Sequence, residues 1–399
     1  MLTADTLKTW CEPHFEDAVK EREFLHQHPE LSYQEFKTTQ YIVDELSKLD
    51  IRVERLLETG CVGIIEGAIP SERTIALRAD IDALPIQEEG DAKKNFFSTN
   101  PGVAHCCGHD AHTANLLGAA RVIAAHREQL VGRVILIFQP GEETLPGGGR
   151  LLCETGWLQK QNIQHIYGLH TSPSHEVGVI ASRRGELMAA PDEFSVRIKG
   201  IGGHAARPHE AIDPIVIASE CILALQTIVS RNVDPTEKAV ITVGRIEGGT
   251  AHNIIPEEVR LWGTIRTFSK ETVDLIERRM HELLAGLAKA YRAIIELDIN
   301  KGYPAVINAA ESSEILLNTA KALFGGEIVE EMERPIMAGE DFSFYQQEFP
   351  GAFYFVGSGS KQTDSQYVWH HPKYNVDPGF FTTAMPMMVA LAFGMSTTP

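Results

Sequence analysis

Cysteine is scarce in this chain, with six residues among 399. Disulfide-rich secreted scaffolds place cysteines far more densely, so that class of protein is excluded. Cys106 and Cys107 are adjacent in the sequence, and neighbouring cysteines are poorly placed to form a disulfide with each other without strain. We interpret all six cysteines as thiols.

Positive charge is also in short supply, because 36 Lys and Arg stand against 54 Asp and Glu and give a formal net charge of −18. A chain of this sign repels the phosphate backbone of nucleic acids, and the sequence contains no stripe of Lys and Arg that would offset the repulsion. We therefore expect no nucleic-acid partner.

Long apolar runs are missing too, and none is of the length that we associate with a membrane span. The first 25 residues carry acidic side chains throughout, whereas a secretory signal begins with a basic region and continues with an apolar one. We expect a cytoplasmic protein with no membrane partner.

Signatures of three other protein classes are absent from the sequence. It has no G-x-S-x-G elbow of a serine hydrolase and no GxxxxGK[ST] phosphate-binding loop. The segment GIGGHA lacks the third glycine of a dinucleotide-binding fingerprint. Serine-based hydrolysis and nucleotide binding are therefore disfavoured.

The length of the chain exceeds what one hydrophobic core usually serves, so we expect two domains. In the first 180 residues, runs rich in Ile, Leu, Val and Phe alternate with helix-like stretches. This alternation is typical of an α/β domain with a doubly wound, mostly parallel sheet. In such sheets, ligands bind at the carboxyl ends of the strands.

The pattern changes near Pro191 to strand, helix, two strands, helix and strand, with the helices expected over 214–231 and 270–291. This order predicts a smaller α+β domain of ferredoxin-like topology. Strand and helix signals resume after Ala305, so the smaller domain is inserted into the larger one. The predicted domains are a discontinuous metal-binding catalytic domain over 1–190 and 303–399 and an inserted domain over 191–302.

Residue types that bind metals follow the predicted strands of the larger domain: Asp80 and Asp82 the first, Glu142 and Glu143 the second, and His170 the third. The segment CCGHD, which contains Cys107 and His109, lies in the predicted loop before a helix. Exposed strand ends collect polar residues in any protein, which explains one such cluster well. It explains poorly why all of them are metal-ligand types.

A structural zinc site would show two Cys pairs or a Cys/His quartet at short spacing. Only one tight pair, Cys107 and His109, is present, so any further ligands must be distant in sequence, as in catalytic sites. The adjacent glutamates offer one carboxylate for a metal and one for a general base, although a solvated turn is the better explanation when they are taken alone. His370 and His371, just before Pro372, are candidate late partners.

Ten segments, taken in order, resemble the hippurate hydrolase branch of the zinc-dependent aminoacylase and carboxypeptidase family: LHQHPELSYQE, RADIDALPI, CGHDAHTANLLGAA, FQPGEE, GLHTSP, GGHAARPHEAIDPI, AHNIIPEEV, GTIRTF, AGEDFSFY and HHPKYNVD. The branch also contains hydrolases of indole-acetyl-amino-acid conjugates and N-acetyl-diaminopimelate deacetylases. The segments run along nearly the whole chain, so the resemblance is specific for the family and much less so for the substrate.

The resemblance implies two adjacent divalent metal ions in each subunit. Zinc suits sulfur and imidazole ligands, and the carboxylate leaves manganese, cobalt or nickel open. The implied ligands are Cys107 as the bridging thiolate, His109, Glu143, His170 and His370. His371 occupies a position that usually does not bind metal in the branch.

The resemblance also implies the catalytic residues. Glu142 is the expected general base for a metal-activated water that attacks the amide carbonyl, and it returns the proton to the leaving amine. Asp80 takes the place of the orienting aspartate of the family, while Arg78 stands where most members have a histidine. His112, three residues after His109, is expected to support the site without binding metal.

The inserted domain is expected to act as a lid and as a dimerisation surface, which implies a homodimer or a higher homo-oligomer. His204, between glycines and small residues, could donate a hydrogen bond to the developing oxyanion, in relatives often across the subunit interface. Asn253 and Arg266 are candidates for binding the α-carboxylate of the substrate.

The expected activity is therefore hydrolysis of the amide bond in N-acyl-L-amino acids of the N-acetyl or N-benzoyl type. The alternatives are an N-acetyl-diaminopimelate-type deacetylase or a dipeptidase of the same family, and a non-catalytic binding protein that retains the fold. The last alternative would be favoured by the loss of Glu142 or of two ligands, but the sequence contains the whole set.

Overall fold

The structure is a computed structural model that describes residues 2–395. In that part of the chain, the helices are α1 Ala4–Cys11, α2 Phe15–Gln27, α3 Phe36–Ser47, α4 His109–Ala125, α5 Gly148–Glu154, α6 Pro214–Arg231, α7 Lys270–Tyr291, α8 Ala310–Phe324, α9 Ser343–Glu348 and α10 Phe381–Phe393. The strands are β1 Arg52–Glu54, β2 Cys61–Glu66, β3 Ile69–Asp80, β4 Val131–Gln139, β5 His165–Glu176, β6 Ile180–Ser182, β7 Gly185–Met188, β8 Ala190–Lys199, β9 Gly203–His204, β10 Ala239–Gly248, β11 Ile254–Ile255, β12 Glu258–Thr267, β13 Ile294–Asn300, β14 Val306–Asn308, β15 Val329–Glu331 and β16 Gly351–Gly359.

The chain divides into two compact units. Unit 1 takes its described residues from Met1–Leu187, Ile307–Pro335 and Asp341–Pro399, and unit 2 consists of Met188–Val306 and Ile336–Glu340. The segment that the sequence predicts as the inserted domain, 191–302, lies within unit 2.

Unit 1 contains an eight-stranded sheet in the order β1-β2-β4-β3-β5-β16-β6-β15. The four central strands, β4, β3, β5 and β16, pair in parallel, and antiparallel pairs occur toward the two edges. The predicted α/β class with a mostly parallel sheet is confirmed. The parallel strands bring their carboxyl ends to one edge, so β3, β4 and β5 deliver polar residues to the same region.

Two local differences from the sequence-based expectation affect that region. Helix α4 begins at His109, so His109 and Asp110 form its first turn and do not lie in the preceding loop. Strand β5 does not end at His170 but continues to Glu176, because it keeps pairing with β16 after its pairing with β3 has stopped at Gly168. His170 therefore projects from a regular strand inside the sheet.

Unit 2 contains a four-stranded antiparallel sheet in the order β10-β12-β8-β13, with helices α6 and α7 joining the strands. The chain order β8, α6, β10, β12, α7, β13 combined with this strand order confirms the ferredoxin-like topology. Both helices occupy the residues that the sequence predicts.

Helix α6 is also long and apolar enough to meet the length and composition test for a membrane span. One of its faces is buried in the core of unit 2 through Ile217, Cys221, Leu225 and Ile228. Core helices of globular domains commonly pass this test, so the helix by itself is weak evidence for a membrane.

Candidate active site

Gly108 lies between Cys107 and His109 and sets the direction of both side chains at the start of α4. Gly108 has φ +95, and a Cβ atom at this position would lie 2.5 Å from Thr171 Oγ1 and 2.8 Å from the Tyr374 hydroxyl. Only glycine combines this backbone conformation with so close an approach. The glycine thereby lets the thiol and the first helical imidazole, two residues apart, converge on one place.

The ligand-type side chains of unit 1 do gather at the carboxyl edge of the sheet. Cys107 Sγ lies 3.4 Å from His170 Nε2, and His370 Nε2 lies 3.2 Å from Glu143 Oε1. His109 Nε2 is 3.9 Å from the same Glu143 oxygen. The structure thus brings together all five residues of the predicted ligand set.

These side chains form two overlapping triads. Cys107, His109 and His170 compose the first and Cys107, Glu143 and His370 the second, with the ligand atoms of each triad within 4.8 Å of one another. The sulfur belongs to both triads, so it lies between two places where a cation could bind. Thiolate, imidazole and carboxylate together form a donor set suited to divalent first-row transition metals.

Two observations show that this cluster fits cations. His109 Nε2 is buried and makes no hydrogen bond to the described residues. Burial, and after it the charges of Glu143 and Glu142, raises the pKa of the Cys107 thiol well above its usual value. A thiolate therefore requires added positive charge at this place, which bound divalent cations provide.

Asp82 orients His109. The Nδ1 atom of His109 lies 2.9 Å from the Asp82 carbonyl oxygen and 3.2 Å from its Oδ1, so Nδ1 carries a proton and Nε2 faces the cluster. The Asp82 Oδ2 atom also accepts a hydrogen bond from the backbone N–H of Glu143 at 3.0 Å. One carboxylate thus fixes two members of the cluster.

Asp80, the predicted orienting residue, contacts a different imidazole. Its Oδ1 is 2.6 Å from His112 Nδ1, and His112 Nε2 accepts the backbone N–H of Thr171 at 2.9 Å. Both nitrogens of His112 are therefore used in hydrogen bonds, which fits the expectation that it supports the site without binding metal. Through Thr171, the pair reaches the backbone beside His170.

Arg78 is a buried counter-charge at the end of β3. Its guanidinium donates to Asp80 Oδ2 at 2.7 Å and to Asp341 Oδ1 at 2.8 Å. Burial raises the pKa of Asp341 to about 6, although Arg78 and hydrogen bonds from Gln139 and Gly149 oppose the rise. The Arg78 side chain therefore neutralises the negative charge of two carboxylates. A histidine at this position would instead offer a nitrogen that can bind metal.

The two adjacent late histidines differ in their surroundings. His370 has φ +65, its N–H donates to the Cys106 carbonyl at 2.8 Å, and its ring reaches Glu143. The Nδ1 of His371 accepts the N–H of Lys373 at 3.0 Å, and the ring stacks on Tyr367. The structure thus places His370, and not His371, in the cluster.

Unit 2 carries the remaining predicted residues. His204 in β9 and Asn253 beside β11 line one pocket of about 660 Å³, since these two short strands pair with each other. The Nδ1 of His204 accepts the N–H of Ala206 at 3.0 Å, which leaves the proton on Nε2. Arg266 lies in β12 and donates to two backbone carbonyls, those of Ile265 and Met337, and does not line the pocket.

Sequence reasoning missed Asp82 as a supporting residue, although it noted the residue at a strand end. Asp80 and Asp82 are both carboxylates at the end of the same strand, and only the fold shows that Asp82 accepts from His109 Nδ1 whereas Asp80 Oδ2 lies 3.7 Å from His109 Nε2. A second omission is the segment LHQHPELSYQE, to which no role was given; Ser32 in this segment donates to Asp82 Oδ2 at 2.7 Å.

The sequence also matches a known family over most of its length. The model of Peptidase family M20/M25/M40 matches residues 76–392. The chain belongs to this family. As a member of Peptidase family M20/M25/M40, it is a metal-dependent hydrolase that acts on amide bonds, and the predicted family is confirmed.

Among its relatives are two enzymes whose names state an activity. The chain is similar to the N-acetyl-L-cysteine deacetylase of Bacillus subtilis, with 40% identity over 358 residues, 89% of this chain and 82% of the relative. It is similar to the IAA-amino acid hydrolase ILR1-like 4 of Arabidopsis thaliana, with 38% identity over 369 residues, 91% of this chain and 82% of the relative.

A solved structure resembles the chain over nearly its whole length. It is the YXEP protein of Bacillus subtilis, described as a dinuclear metal binding peptidase from the M20 family. The TM-score is 0.81 at 34% identity, covering 96% of this chain and 98% of that one. The neighbour supports the shared fold and a metal-binding family.

Proposed function

We propose that this chain hydrolyses the amide bond of N-acyl-L-amino acids of the N-acetyl or N-benzoyl type. The observation that carries the proposal is the pair of triads sharing Cys107, with Glu142 directly beside the triad member Glu143. The names of the relatives support the substrate class, since an N-acetyl-L-cysteine deacetylase and an IAA-amino acid hydrolase both cleave an acyl group from an amino acid.

Two divalent cations are proposed to bind in unit 1. Their ligands would be Cys107, His109, Glu143, His170 and His370, with zinc, manganese, cobalt or nickel as candidates. The chemistry that such a pair supplies when bound is Lewis acidity, which lowers the pKa of water and polarises an amide carbonyl.

Glu142 is proposed as the general base and acid. Its carboxylate takes a proton from water as the water oxygen forms a bond to the carbonyl carbon, and it later gives that proton to the leaving nitrogen as the C–N bond breaks. Its location supports this role, because a ligand atom of Glu142 lies within 4.8 Å of those of His109 and Glu143. Asp80 is proposed to assist by holding His112, and through it the backbone beside His170.

Unit 2 is proposed to serve as a lid that contributes to substrate binding. The His204 Nε2–H is available as a donor to the oxyanion that develops on the substrate. Asn253, which lines the same pocket, is proposed to bind the α-carboxylate. Arg266 is proposed for that role as well. Its guanidinium already donates to two backbone carbonyls, so it would have to leave one of them to bind the carboxylate.

The decisive experiment compares two neighbouring glutamates. Glu142→Gln is expected to keep its bound metal and lose turnover by at least about a hundred-fold, since general acid and base catalysis typically contributes that much or more. Glu143→Ala is expected to lose metal as well. Metal content and the kcat for N-acetyl- and N-benzoyl-amino acids, measured with several metals, check both. Equal metal contents and equal residual rates in the two variants would contradict the assignment.

A substrate panel extended with N-acetyl-diaminopimelate and dipeptides decides between the family activities. Cleavage of N-acetyl-diaminopimelate or of dipeptides in preference to simple N-acyl-amino acids would replace the proposed substrate class. Absence of hydrolysis by the metal-loaded protein with every compound would favour a binding protein that retained the fold.

A further inference from the structure

The turn Leu31–Gln34 contains a tyrosine in a conformation that favours glycine. Gln34 N donates to Leu31 O at 2.9 Å, which closes the turn, and Tyr33 within it has φ +64. Residues with a Cβ atom are disfavoured in this left-handed region, and such outliers concentrate where the side chain has a task. The Tyr33 side chain must therefore offer a contact that glycine could not.

That contact is with the loop that follows β4 and carries Glu142 and Glu143. The Tyr33 hydroxyl donates to the Thr144 carbonyl at 2.7 Å and accepts the Gly147 N–H at 3.0 Å, so it bridges the far side of the loop. Burial raises the pKa of Tyr33 to about 12, and the hydroxyl therefore remains a donor at neutral pH.

The Tyr33 ring also covers the near side of the loop. Gly141 has φ +61, and a Cβ atom there would lie 2.3 Å from Tyr33 Cε1. No residue other than glycine can fit between the ring and the loop backbone. The ring and the hydroxyl of one residue thus contact the loop on both sides of the two glutamates.

Glu35 holds the same loop at its second residue, Gly141. Its Oε1 accepts the backbone N–H of Gly141 at 2.8 Å, and the Glu35 side chain is completely buried. A buried side-chain oxygen that accepts a backbone N–H is a directional contact, and losing it would leave that N–H unsatisfied. It fixes the residue immediately before Glu142.

A third link joins the turn to the residue that orients His109. The Ser32 hydroxyl donates to Asp82 Oδ2 at 2.7 Å, the same oxygen that accepts the Glu143 N–H. Thr144 Oγ1 donates to Ser32 Oγ at 3.1 Å. The turn, the loop and the strand end therefore share one continuous set of hydrogen bonds.

We infer that the turn Leu31–Gln34 and Glu35 position the paired carboxylates of the active site, with Tyr33 and Glu35 as positioning residues. The inference rests on the proposed function of Glu142 and gives the segment LHQHPELSYQE its role. Both act by fixing the backbone, Tyr33 on both sides of Glu142 and Glu143 and Glu35 on the residue before them.

The test uses four variants of the full chain. Tyr33→Phe keeps the ring and removes the bridge, Glu35→Ala removes the acceptor, and Glu35→Gln retains an oxygen at the same place. Gln34→Ala is the matched control, because Gln34 is an exposed residue of the same turn. Each is titrated as apoprotein with Co²⁺, followed by its absorption spectrum, and then assayed at saturating Co²⁺ with an N-acetyl-amino acid.

Tyr33→Phe and Glu35→Ala are expected to bind Co²⁺ about ten-fold more weakly, as expected when a partner that orients a ligand is lost. Their kcat should fall about ten-fold with KM changed less than about two-fold, because the loop carries the proposed base and the substrate contacts proposed here lie in unit 2. Glu35→Gln and Gln34→Ala should match the unmodified chain in both measurements.

Glu142→Gln, tested in parallel, separates the two proposals. If Glu142→Gln is inactive but Tyr33→Phe and Glu35→Ala match Gln34→Ala in Co²⁺ affinity and kcat, the positioning role is overturned even if the melting temperatures fall. If Glu35→Gln is as impaired as Glu35→Ala, Glu35 is not an acceptor for the loop and its part of the inference is overturned. Turnover by Glu142→Gln equal to that of the unmodified chain overturns the proposed function itself.

Discussion

Cys107 is the residue whose chemistry depends most on its neighbours. In its buried place beside two glutamates the thiol keeps its proton, and only added positive charge makes it a thiolate. Its neighbour Cys106 is also buried, and its carbonyl accepts the His370 N–H at 2.8 Å while its sulfur stays in the hydrophobic core. The two sulfurs thus differ in what they can bind.

Cys107→Ser is expected to weaken metal binding by at least about ten-fold and to lower turnover in parallel, because a serine hydroxyl is a far poorer metal ligand than a thiolate. Cys106→Ser should keep metal and activity and cost only stability, because its backbone contact to His370 survives. Metal content by mass spectrometry and kcat with an N-acetyl-amino acid check the pair. The reverse order of effects would assign the shared position to Cys106.

Glu35 makes stability depend on pH. Burial and then the negative charge of Asp82 raise its pKa from 4.5 to about 7 in the folded chain. A carboxyl whose folded pKa is raised favours folding while it is protonated, and this contribution is lost as pH rises from about 4.5 through 7.

Glu35→Gln does not titrate, so its free energy of unfolding relative to the unmodified chain should rise by roughly 2 kcal/mol between pH 5 and pH 8. Urea unfolding of both proteins at the two pH values measures the difference. A difference that stays constant with pH would show that Glu35 has the same pKa in both states.

The N-terminus of α4 is the element on which the ligand geometry depends most. Gly108→Ala is expected to be strongly destabilising and to weaken metal binding. The added Cβ would lie only 2.5 Å from Thr171 Oγ1, so the backbone must shift and displace Cys107 or His109. Gly102→Ala is the control, since Gly102 also has positive φ but nothing within 4 Å of the added atom.

Gly102→Ala should therefore lose about 1 kcal/mol of stability from backbone strain alone and keep its metal affinity. Melting temperature and Co²⁺ titration of both variants separate strain from displacement. Similar losses of metal affinity at the two glycines would contradict a special role for Gly108.

Elements were easier to predict from the sequence than their contacts. The alternation of apolar runs and helices predicts the mostly parallel sheet. The four long strands and two helices of unit 2 also have clear periodicity, and Ser269 caps α7. The end of β5 was misplaced because its pairing with the distant strand β16 determines where it stops. The start of α4 was misplaced because the left-handed conformation of Gly108 determines it, and the sequence pattern does not show that conformation.

Contacts between distant residues were the least predictable. Tyr33 and Thr144 are 111 positions apart, and nothing in either segment indicates that a hydroxyl meets a carbonyl. Asp80 and Asp82 are equivalent by residue type and differ only in the direction in which the strand end points them. Family resemblance supplied the ligand set, whereas the supporting hydrogen bonds required the fold.

At the scale of the whole molecule, the candidate metal ligands all belong to unit 1. Chelation is therefore expected to loosen unit 1 selectively, since a bound metal stabilises only the structure that holds it. Amide hydrogen exchange should increase over 105–112 and 140–145 after treatment with EDTA, while β8, β12 and α7 keep their protection. Increased exchange throughout unit 2 would contradict this separation.

Catalysis across a dimer interface is the second expectation at this scale. His204 lies in unit 2, and removal of an oxyanion donor typically costs about a hundred- to a thousand-fold in turnover, so His204→Ala should lose turnover and keep metal. Mixing His204→Ala with Glu142→Gln protein under conditions of subunit exchange should restore part of the activity. Absence of recovery, with exchange verified, would confine His204 to the site of its own subunit.

The order of strands in the large sheet has a consequence for biosynthesis. Strand β16 lies between β5 and β6, yet it is synthesised about 170 residues after them, with unit 2 in between. A nascent chain therefore displays the unpaired edge of β5 and four of the five candidate ligands until 351–370 have emerged from the ribosome. During that interval the free edge of β5 can pair with a wrong strand, and the chain gains a complete metal centre only when the sheet itself is closed.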